Sequence, residues 1–344
     1  MDLAVRKFIY ELQVIAELVG CTALLLTGAR NTDANYAELT MVDGLFNLTR
    51  RRVGIRTVRE LEVSKFRGSG NLSGAHFFEI SNRGITIFPR LEALWSEPPI
   101  SHADPTRIEF GIPALDAMLN GGPLSGSTTL LVGAPGSGKT ILGTQFLASG
   151  AAQGQPGLYL GFFEAPNRLR HRMKELSVDV AAFERNAMLH IMWRPLLERL
   201  ADGVADELLA FVAKANIKRL FIDGWAGFSK SLNYPERAGA FLFALNSALR
   251  TLGVTTLISD ETAQHRSDEI RLPEAGVSEA CEDIFLLRYA EKKSTLRRLL
   301  SVVKMREGSH DKSLREFWIL PVGFGLQDPS TSTRKKPTRP KASR

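Results

Sequence analysis

Cysteine is scarce in this chain: Cys21 and Cys281 are the only two among 344 residues. A secreted fold held together by disulfides needs several paired cysteines, so the sequence excludes that class. Each cysteine lies near an apolar segment and has no second thiol close to it in sequence. We therefore predict two buried free thiols in a reducing compartment, which favours a cytoplasmic location.

Long apolar runs are also missing. No run approaches the length of about 20 apolar residues that a membrane-spanning helix needs. The first residues, Met1-Asp2-Leu3, do not have the pattern of a signal peptide. We therefore expect no membrane partner. The composition, 44% apolar and 24% charged, is that of a globular protein long enough for more than one domain.

Excess positive charge is missing from most of the chain. The net charge is +7, of which +6 belongs to residues 329–344, so the remaining chain is at +1. Because the body is nearly neutral, its charge gives no argument for a nucleic-acid groove, and a nucleic-acid partner is not expected. The basic segment 329–344 consists largely of Ser, Thr, Pro, Lys and Arg and is predicted to be disordered. It would either aid solubility or contact an anionic partner.

What the chain does have is a phosphate-binding loop (P-loop). Its glycines allow a tight turn that points backbone N–H groups at phosphate oxygens. Lys139 would reach the β- and γ-phosphates, and the Thr140 hydroxyl would bind Mg²⁺. The flanking residues predict a buried strand at 127–132 and a helix at 140–149, which is the setting that the motif requires. The pattern G-x-x-x-x-G-K-[ST] is matched by Gly133, Ala134, Pro135, Gly136, Ser137, Gly138, Lys139 and Thr140.

Two acidic residues follow buried-strand patterns downstream of the P-loop. Residues 218–222 lead into Asp223, the Walker B pattern, so Asp223 is predicted to hold Mg²⁺ directly or through water. Residues 157–162 form another strand pattern, which leads to Glu164. A carboxylate there could polarise the water that attacks the phosphate. The alternative for Glu164 is structural, since a negative charge also suits the start of the helix expected near Pro166.

The beginning of the chain resembles its end, in three blocks that keep their order. The first block matches at an offset of 233 residues and the other two at an offset of 239. Three blocks in register, with one length change, indicate a duplication. The repeated unit is predicted to be helix, strand, loop, strand, hairpin and strand. The matching pairs are residues 8–24 with 241–257, 63–67 with 302–306, and 78–84 with 317–323.

The second copy alone reaches back to a P-loop. The first copy begins at the helix that follows the place of its Walker B strand, so it is predicted to be the back half of a nucleotide-binding domain. Such a half domain would expose a sheet edge. The predicted domains are a partial domain without a P-loop at 1–90, a linker at 91–106, a complete domain at 107–328 and the disordered basic tail at 329–344.

Several motifs together resemble the KaiC family, within the RecA-like P-loop ATPases. The lead-in at 111–122 is similar to the family's G-x-x-x-L-D…L-x-G-G pattern, and the P-loop, the Glu164 strand end and Asp223 follow it. The block Lys-Met-Arg-Glu-Gly-Ser-His-Asp-Lys at 304–312 is the most family-specific. The resemblance covers residues 107–326 and, more loosely, 1–90.

This resemblance implies an α/β fold of the RecA-like P-loop NTPase type. A mainly parallel sheet would be flanked by helices, with antiparallel strands towards the carboxyl end at 283–289, 296–304 and 315–320. In the family, ATP with Mg²⁺ is bound between the subunits of a ring-type homo-oligomer, usually a hexamer. The resemblance therefore predicts slow ATP hydrolysis at subunit interfaces, in a signalling or clock-type assembly with an unidentified signalling protein as partner.

The resemblance also assigns catalytic roles to two cations. Lys304 and Arg306 would project onto the γ-phosphate that a neighbouring subunit holds. Two cations there would offset the charge that spreads over the transferring phosphoryl group, as arginine fingers do. The alternative is that both are solvated charges of a hairpin.

Two departures from the family pattern leave other functions open. The family commonly has two acids before the small residue and proline, whereas here Phe163 precedes Glu164. Either Glu164 has taken over, or hydrolysis is impaired and the protein is a nucleotide-sensing scaffold without turnover. Some relatives phosphorylate themselves on adjacent hydroxyl residues; here Ser278 is followed by Glu279.

A Ser/Thr autokinase that acts on Ser278 is therefore an alternative, and so is a purely structural Ser278 that caps a helix or turn. A RecA-type DNA-binding recombination ATPase is a further alternative. The nearly neutral body and the absence of an evident basic, aromatic-interleaved loop are evidence against it.

Overall fold

The computed structural model describes residues 3–28, 41–95, 106–195, 199–261, 276–292, 294–321 and 323–327. The chain divides into two units, Met1–Ala93 and Leu94–Arg344. The basic tail predicted at 329–344 and most of the linker predicted at 91–106 lie outside the described residues.

The first unit is one helix followed by an antiparallel meander. The four strands are hydrogen-bonded in chain order, β1-β2-β3-β4. A short 3-10 turn at Leu91–Ala93 follows the last strand. The elements are α1 (Leu3–Val19), β1 (Gly44–Val53), β2 (Arg56–Phe66), β3 (Ala75–Ser81) and β4 (Gly84–Phe88).

The second unit is built around one sheet of nine strands. Its helices are α2 (Pro113–Met118), α3 (Lys139–Ala152), α4 (Pro166–Glu175), α5 (Val180–Arg185), α6 (Ala201–Lys214), α7 (Ala226–Ser229) and α8 (Ala238–Thr251). Its strands are β5 (Thr128–Gly133), β6 (Gly157–Gly161), β7 (Leu189–Trp193), β8 (Arg219–Asp223), β9 (Thr255–Glu261), β10 (Asp283–Lys292), β11 (Thr295–Met305), β12 (Arg315–Leu320) and β13 (Gly323–Leu326).

The order of strands in this sheet is β13-β12-β11-β10-β5-β9-β8-β6-β7. The run from β10 to β7 is parallel, and β11, β12 and β13 extend it with antiparallel pairs. Such parallel strands are covered by helices on both faces and therefore consist of continuous apolar runs. Accordingly, β5 and β6 are buried at every residue. The predicted α/β architecture, with antiparallel strands towards the carboxyl end, is confirmed.

The helix that follows the P-loop packs very closely on the sheet. A Cβ atom at Gly143 of α3 would lie 2.3 Å from the ring of Phe221 on β8, so a larger residue would not fit without a shift. One turn further along α3, Phe146 packs against Phe110, with ring centroids 5.3 Å apart. These contacts fix the start of α3 relative to the ends of the central strands.

Corresponding strands of the two units pair in the same register. Gly44 of β1 is opposite Phe66, and Asp283 of β10 is opposite Met305. Both hairpins have an irregularity one residue further on, after Leu45 and after Ile284 respectively. The offset is 239 residues throughout, so the pairing has the register that a duplication would produce.

The prediction of a strand directly after the first helix was wrong for the first unit. Residues 21–28 have no regular structure, and Leu24 is 81% exposed, whereas the corresponding Leu257 of β9 is fully buried. In the second unit β9 lies between β5 and β8. The described part of the first unit contains no counterpart of these two neighbours, and a strand needs partners for its backbone groups.

The two cysteines differ in burial, as residues 21–28 and β9 do. Cys281 is buried, and burial raises the pKa of its thiol to about 12. Cys21 is exposed because it lies in the unpaired segment 21–28, so the prediction that both thiols are buried was wrong. Among the described helices, none combines the length and the apolar character needed to cross a bilayer.

Candidate nucleotide site

The candidate site lies where the carboxyl ends of four parallel strands meet. Gly133, the last residue of β5, is opposite Glu261 at the end of β9, and Gly161 of β6 is opposite Asp223 at the end of β8. Ligands of α/β sheets bind at this edge of the sheet. The P-loop connects β5 to α3 at the same edge, so strand order brings residues that are far apart in sequence to one place.

The P-loop backbone uses two glycines in the left-handed region. Gly136 has a φ of 74° and Gly138 a φ of 109°, conformations that are costly for residues with a side chain. Gly138 directly precedes α3, so the loop ends at a helix amino terminus, where N–H groups are free to bind an anion. The hydroxyl of Tyr289 on β10 donates to the carbonyl of Gly136 at 2.5 Å.

Lys139 is folded over the loop that it follows. It is 6% exposed, and its ammonium donates to the carbonyls of Gly133 at 2.8 Å and Ala134 at 3.0 Å. The carboxylate of Glu261 lies 3.9 Å from the same nitrogen. Burial lowers the pKa of Lys139, while the negative charges of Glu261 and Asp223 act in the opposite direction.

Asp223 accepts hydrogen bonds from three hydroxyl groups. Thr140 donates to it at 3.0 Å, Tyr159 at 2.7 Å and Ser259 at 2.8 Å, measured between oxygens. Each of these residues belongs to a different element, α3, β6 or β9. Burial, followed by the charge of Asp223, raises the pKa of Tyr159 well above its usual range, so this phenol keeps its proton.

The Thr140 hydroxyl and the Asp223 carboxylate fit a magnesium ion. Both are oxygen donors, which Mg²⁺ prefers, and Mg²⁺ is usually bound by one or two protein groups together with substrate phosphates and water. The described residues contain no cluster of three or more His, Cys, Asp or Glu that could hold a metal by themselves. A metal here would therefore depend on phosphate oxygens as well.

Glu164 follows β6, and its carboxylate lies 2.9 Å from the guanidinium of Arg172 on α4. The residue at the N-cap of α4 is Ala165, and no side chain caps this helix by a hydrogen bond. Phe163, which is 60% exposed, places its ring against Gly224, where a Cβ atom would be 2.8 Å from it. An open depression of about 420 Å³ adjoins this strand end; it is lined by Glu164, Asn167, Arg168, His171, Arg172 and Glu175.

Lys304 and Arg306, at the end of β11, hold a turn of their own chain. The Lys304 ammonium donates to the carbonyls of Ser278 at 2.9 Å and Cys281 at 2.6 Å. Arg306 contacts the carbonyl of Glu279 at 3.4 Å. The structure therefore shows these cations on the turn that contains Ser278, and Ser278 itself lies in this turn and not at a helix start.

Four site residues were not predicted: Tyr159, Ser259, Glu261 and Tyr289. Two sequence signals could have found three of them. Ser259 and Glu261 belong to the polar end of a buried strand, as Asp223 does, and Tyr159 is a polar aromatic residue in an otherwise apolar strand. Nothing in the sequence marks Tyr289 as a neighbour of the P-loop.

A family model described as the KaiC ATPase matches residues 2–92 and 108–329. Similar curated proteins include the circadian clock oscillator protein KaiC of Parathermosynechococcus lividus, 27% identical over 334 residues, and that of Rippkaea orientalis, 28% identical over 329 residues. The KaiC of Synechococcus elongatus is 25% identical over 331 residues.

Each of these matches covers 94% of this chain but only 60% to 62% of the relative. The chain thus spans about three fifths of the length of the curated relatives that it matches. The resemblance seen in the sequence motifs is confirmed.

Proposed function

We propose that this chain, which belongs to the KaiC family of ATPases, binds ATP with Mg²⁺ at residues 133–140 and hydrolyses it slowly at interfaces between subunits. The observation that carries the proposal is the 3.0 Å hydrogen bond from Thr140 to Asp223, beside the buried ammonium of Lys139. This arrangement joins a phosphate loop to a metal-binding carboxylate in one chain.

Each residue of the site has a role in this proposal. The P-loop N–H groups bind phosphate oxygens, and Lys139 exchanges its carbonyl partners for phosphate. Thr140 and Asp223 hold the metal, which when bound neutralises negative charge on the phosphates. Glu164 orients the attacking water from the neighbouring strand end. The Arg172 guanidinium, 2.9 Å from the Glu164 carboxylate, limits the rotation of that carboxylate.

Action between subunits is proposed for Lys304 and Arg306. Among the described residues neither cation pairs with a carboxylate; their partners are the neutral carbonyls of the turn at 278–281. Their positive charge is therefore not neutralised within this part of the chain. Such cations can stabilise the phosphate of a neighbour in a ring-type homo-oligomer, which we propose to be a hexamer.

We propose a signalling or clock-type assembly as the setting, with a protein partner that remains to be identified. Support comes from the relatives, which are circadian clock oscillator proteins. We further propose that residues 1–90 are a partial domain of the same family, without a P-loop. The identical registers of the two hairpins support this assignment.

One observation favours a second function, autophosphorylation of Ser278. The turn that contains Ser278 is held by Lys304, so a hydroxyl group and a proposed phosphate-binding cation share one surface. If subunits assemble as proposed, this surface faces a neighbour's ATP. Incubation with ATP followed by mass spectrometry of the peptide that contains Ser278 tests this function; an unmodified peptide under conditions of steady hydrolysis excludes it.

The proposed function is tested by binding and turnover together. Titration with a fluorescent ATP analogue should give one site per chain, and Lys139→Ala should abolish it. Lys214→Ala, an exposed lysine on α6, is the matched control and should bind as the wild type does. Two sites per chain, or unchanged binding in Lys139→Ala, would contradict the assignment. If ATP binds but is hydrolysed no faster than in the absence of protein, the alternative of a nucleotide-sensing scaffold without turnover is favoured.

A further inference from the structure

We infer that Tyr159 is a positioning residue for the metal: its hydroxyl holds the Asp223 carboxylate in the orientation in which that carboxylate serves Mg²⁺. This inference rests on the proposed function, because it assumes a metal at Asp223 and Thr140. It assigns a role to a residue that the P-loop and Walker B patterns do not include.

Tyr159 lies on β6, between β8 and β7, and is buried, with 2% of its surface exposed. Its ring meets the ring of Phe221 edge to face, with centroids 5.7 Å apart. A phenylalanine would satisfy this packing equally well. What the tyrosine adds is a hydroxyl, and a buried hydroxyl has to find an acceptor. The acceptor is Oδ2 of Asp223, at 2.7 Å.

The hydrogen bonds to Asp223 use its two oxygens evenly. A carboxylate has about four lone-pair positions, two on each oxygen. Tyr159 fills one on Oδ2, and Ser259 fills one on Oδ1 at 2.8 Å. Each oxygen then has one position left, and both face Thr140, whose hydroxyl lies 3.0 Å from Oδ2 and 3.3 Å from Oδ1.

This distribution prepares the site for a metal. With Tyr159 and Ser259 on one side, the carboxylate cannot turn without losing a charge-assisted hydrogen bond. The remaining positions on Asp223 stay directed at the Thr140 hydroxyl, which donates its proton to them. The lone pairs of that hydroxyl would be available to a metal or to a metal-bound water. Groups of this kind, which orient a metal ligand, typically change metal affinity by about 10- to 100-fold when removed.

The test is a metal-binding measurement on the full chain. Mn²⁺ replaces Mg²⁺ as the probe, and its binding to protein loaded with a non-hydrolysable ATP analogue is followed by electron paramagnetic resonance. Tyr159→Phe should weaken Mn²⁺ binding by about 10-fold or more. Binding of ATP in the presence of EDTA should stay within about twofold of the wild type, because the P-loop contacts are intact. Tyr234→Phe, which removes a phenol hydroxyl outside the site, should change neither.

Two companion variants keep the outcomes apart. Ser259→Ala, which removes the donor to the other oxygen, should also weaken Mn²⁺ binding, so the inference can be tested even if Tyr159→Phe folds poorly. Asp223→Asn tests the proposed function itself: if this variant binds Mn²⁺ normally, the metal assignment fails. If Asp223→Asn loses Mn²⁺ but Tyr159→Phe and Ser259→Ala stay within twofold of the wild type, the positioning role alone is overturned. Equal losses of Mn²⁺ and metal-free ATP binding in Tyr159→Phe would also overturn it, since they would show general support of the site.

Discussion

The carboxylate of Glu164 and the guanidinium of Arg172 form an ion pair at 2.9 Å, which joins the segment after β6 to the last turn of α4. Glu164 is 18% exposed in its side chain and Arg172 is 43% exposed. Partly exposed pairs of this kind contribute little to stability, about 0–1 kcal/mol. The main effect of the pair is therefore to fix the position of the carboxylate, and its contribution to the stability of the fold is small. A variant of Glu164 can for this reason distinguish a catalytic role from a structural one.

Glu164→Gln should lower kcat by about 10²- to 10⁴-fold, the usual contribution of a positioned acid–base group, and leave the Kd for ATP nearly unchanged. Glu175→Gln, in the last turn of α4, is the matched control and should retain activity. A variant that loses about 1 kcal/mol of stability or less but keeps its kcat would show a structural role only. Phe163→Glu restores the family's paired acids and should raise kcat if the missing acid limits hydrolysis.

Mixing two inactive variants should restore activity. Arg306→Ala keeps its P-loop, and Lys139→Ala keeps its cations. If the chain forms rings as proposed, mixed rings contain interfaces where an intact P-loop meets an intact Arg306. Measured ATPase activity should recover in part after co-assembly. The control replaces Lys139→Ala by the double variant Lys139→Ala/Arg306→Ala, which should give no recovery. If co-assembled single variants remain inactive, the cations do not act between subunits.

Glu261→Gln should tighten ATP binding at low salt. The Glu261 carboxylate lies 3.9 Å from the Lys139 ammonium, where it competes with and repels incoming phosphate. Because Glu261 is 63% exposed, the expected gain in affinity is modest, about twofold to fivefold, and it should shrink as salt is added. Glu236→Gln, an exposed acid outside the site, should leave the Kd unchanged. A higher Kd for ATP in Glu261→Gln would instead mean that Glu261 supports ATP binding.

Asp283 should make stability depend on pH in the mildly acidic range. It is 3% exposed; burial and then the charge of Glu282 raise its pKa to about 6 from 3.8, against the Thr129 hydroxyl that donates to it. The folded chain therefore binds this proton more tightly than the unfolded chain. The contribution of Asp283 to stability is fully present below pH 4 and is lost as the pH rises through about 6.

Asp283→Asn removes this titration. Its free energy of unfolding should exceed that of the wild type above pH 6 by at most about 3 kcal/mol, the equivalent of two pK units. The advantage should vanish towards pH 4. Denaturant unfolding at a series of pH values measures the difference, with Asp206→Asn on the exposed face of α6 as control. A difference that does not change between pH 4 and pH 7 would refute the shifted pKa.

The sequence alone showed the P-loop pattern and the strand that leads into Asp223, and it predicted a duplication. The P-loop and the Asp223 strand can be recognised because they are local: a strand, a glycine-rich turn and a helix amino terminus are specified by consecutive residues. The strands near 283–289, 296–304 and 315–320 were predicted from the family resemblance, and the structure has strands at Asp283–Lys292, Thr295–Met305 and Arg315–Leu320. The resemblance to the KaiC family depended on the order of the motifs, which the amino-acid sequence gives directly.

Tertiary structure alone decided which side chains meet. Tyr159 and Ser259 reach Asp223 because β6 and β9 flank β8, and this strand order is set by packing between distant segments. The exposure of Cys21 and the loss of a strand at 21–28 have the same origin, since backbone pairing depends on neighbours that the local sequence does not contain. Local patterns determine the elements, and non-local burial determines the partners of each element.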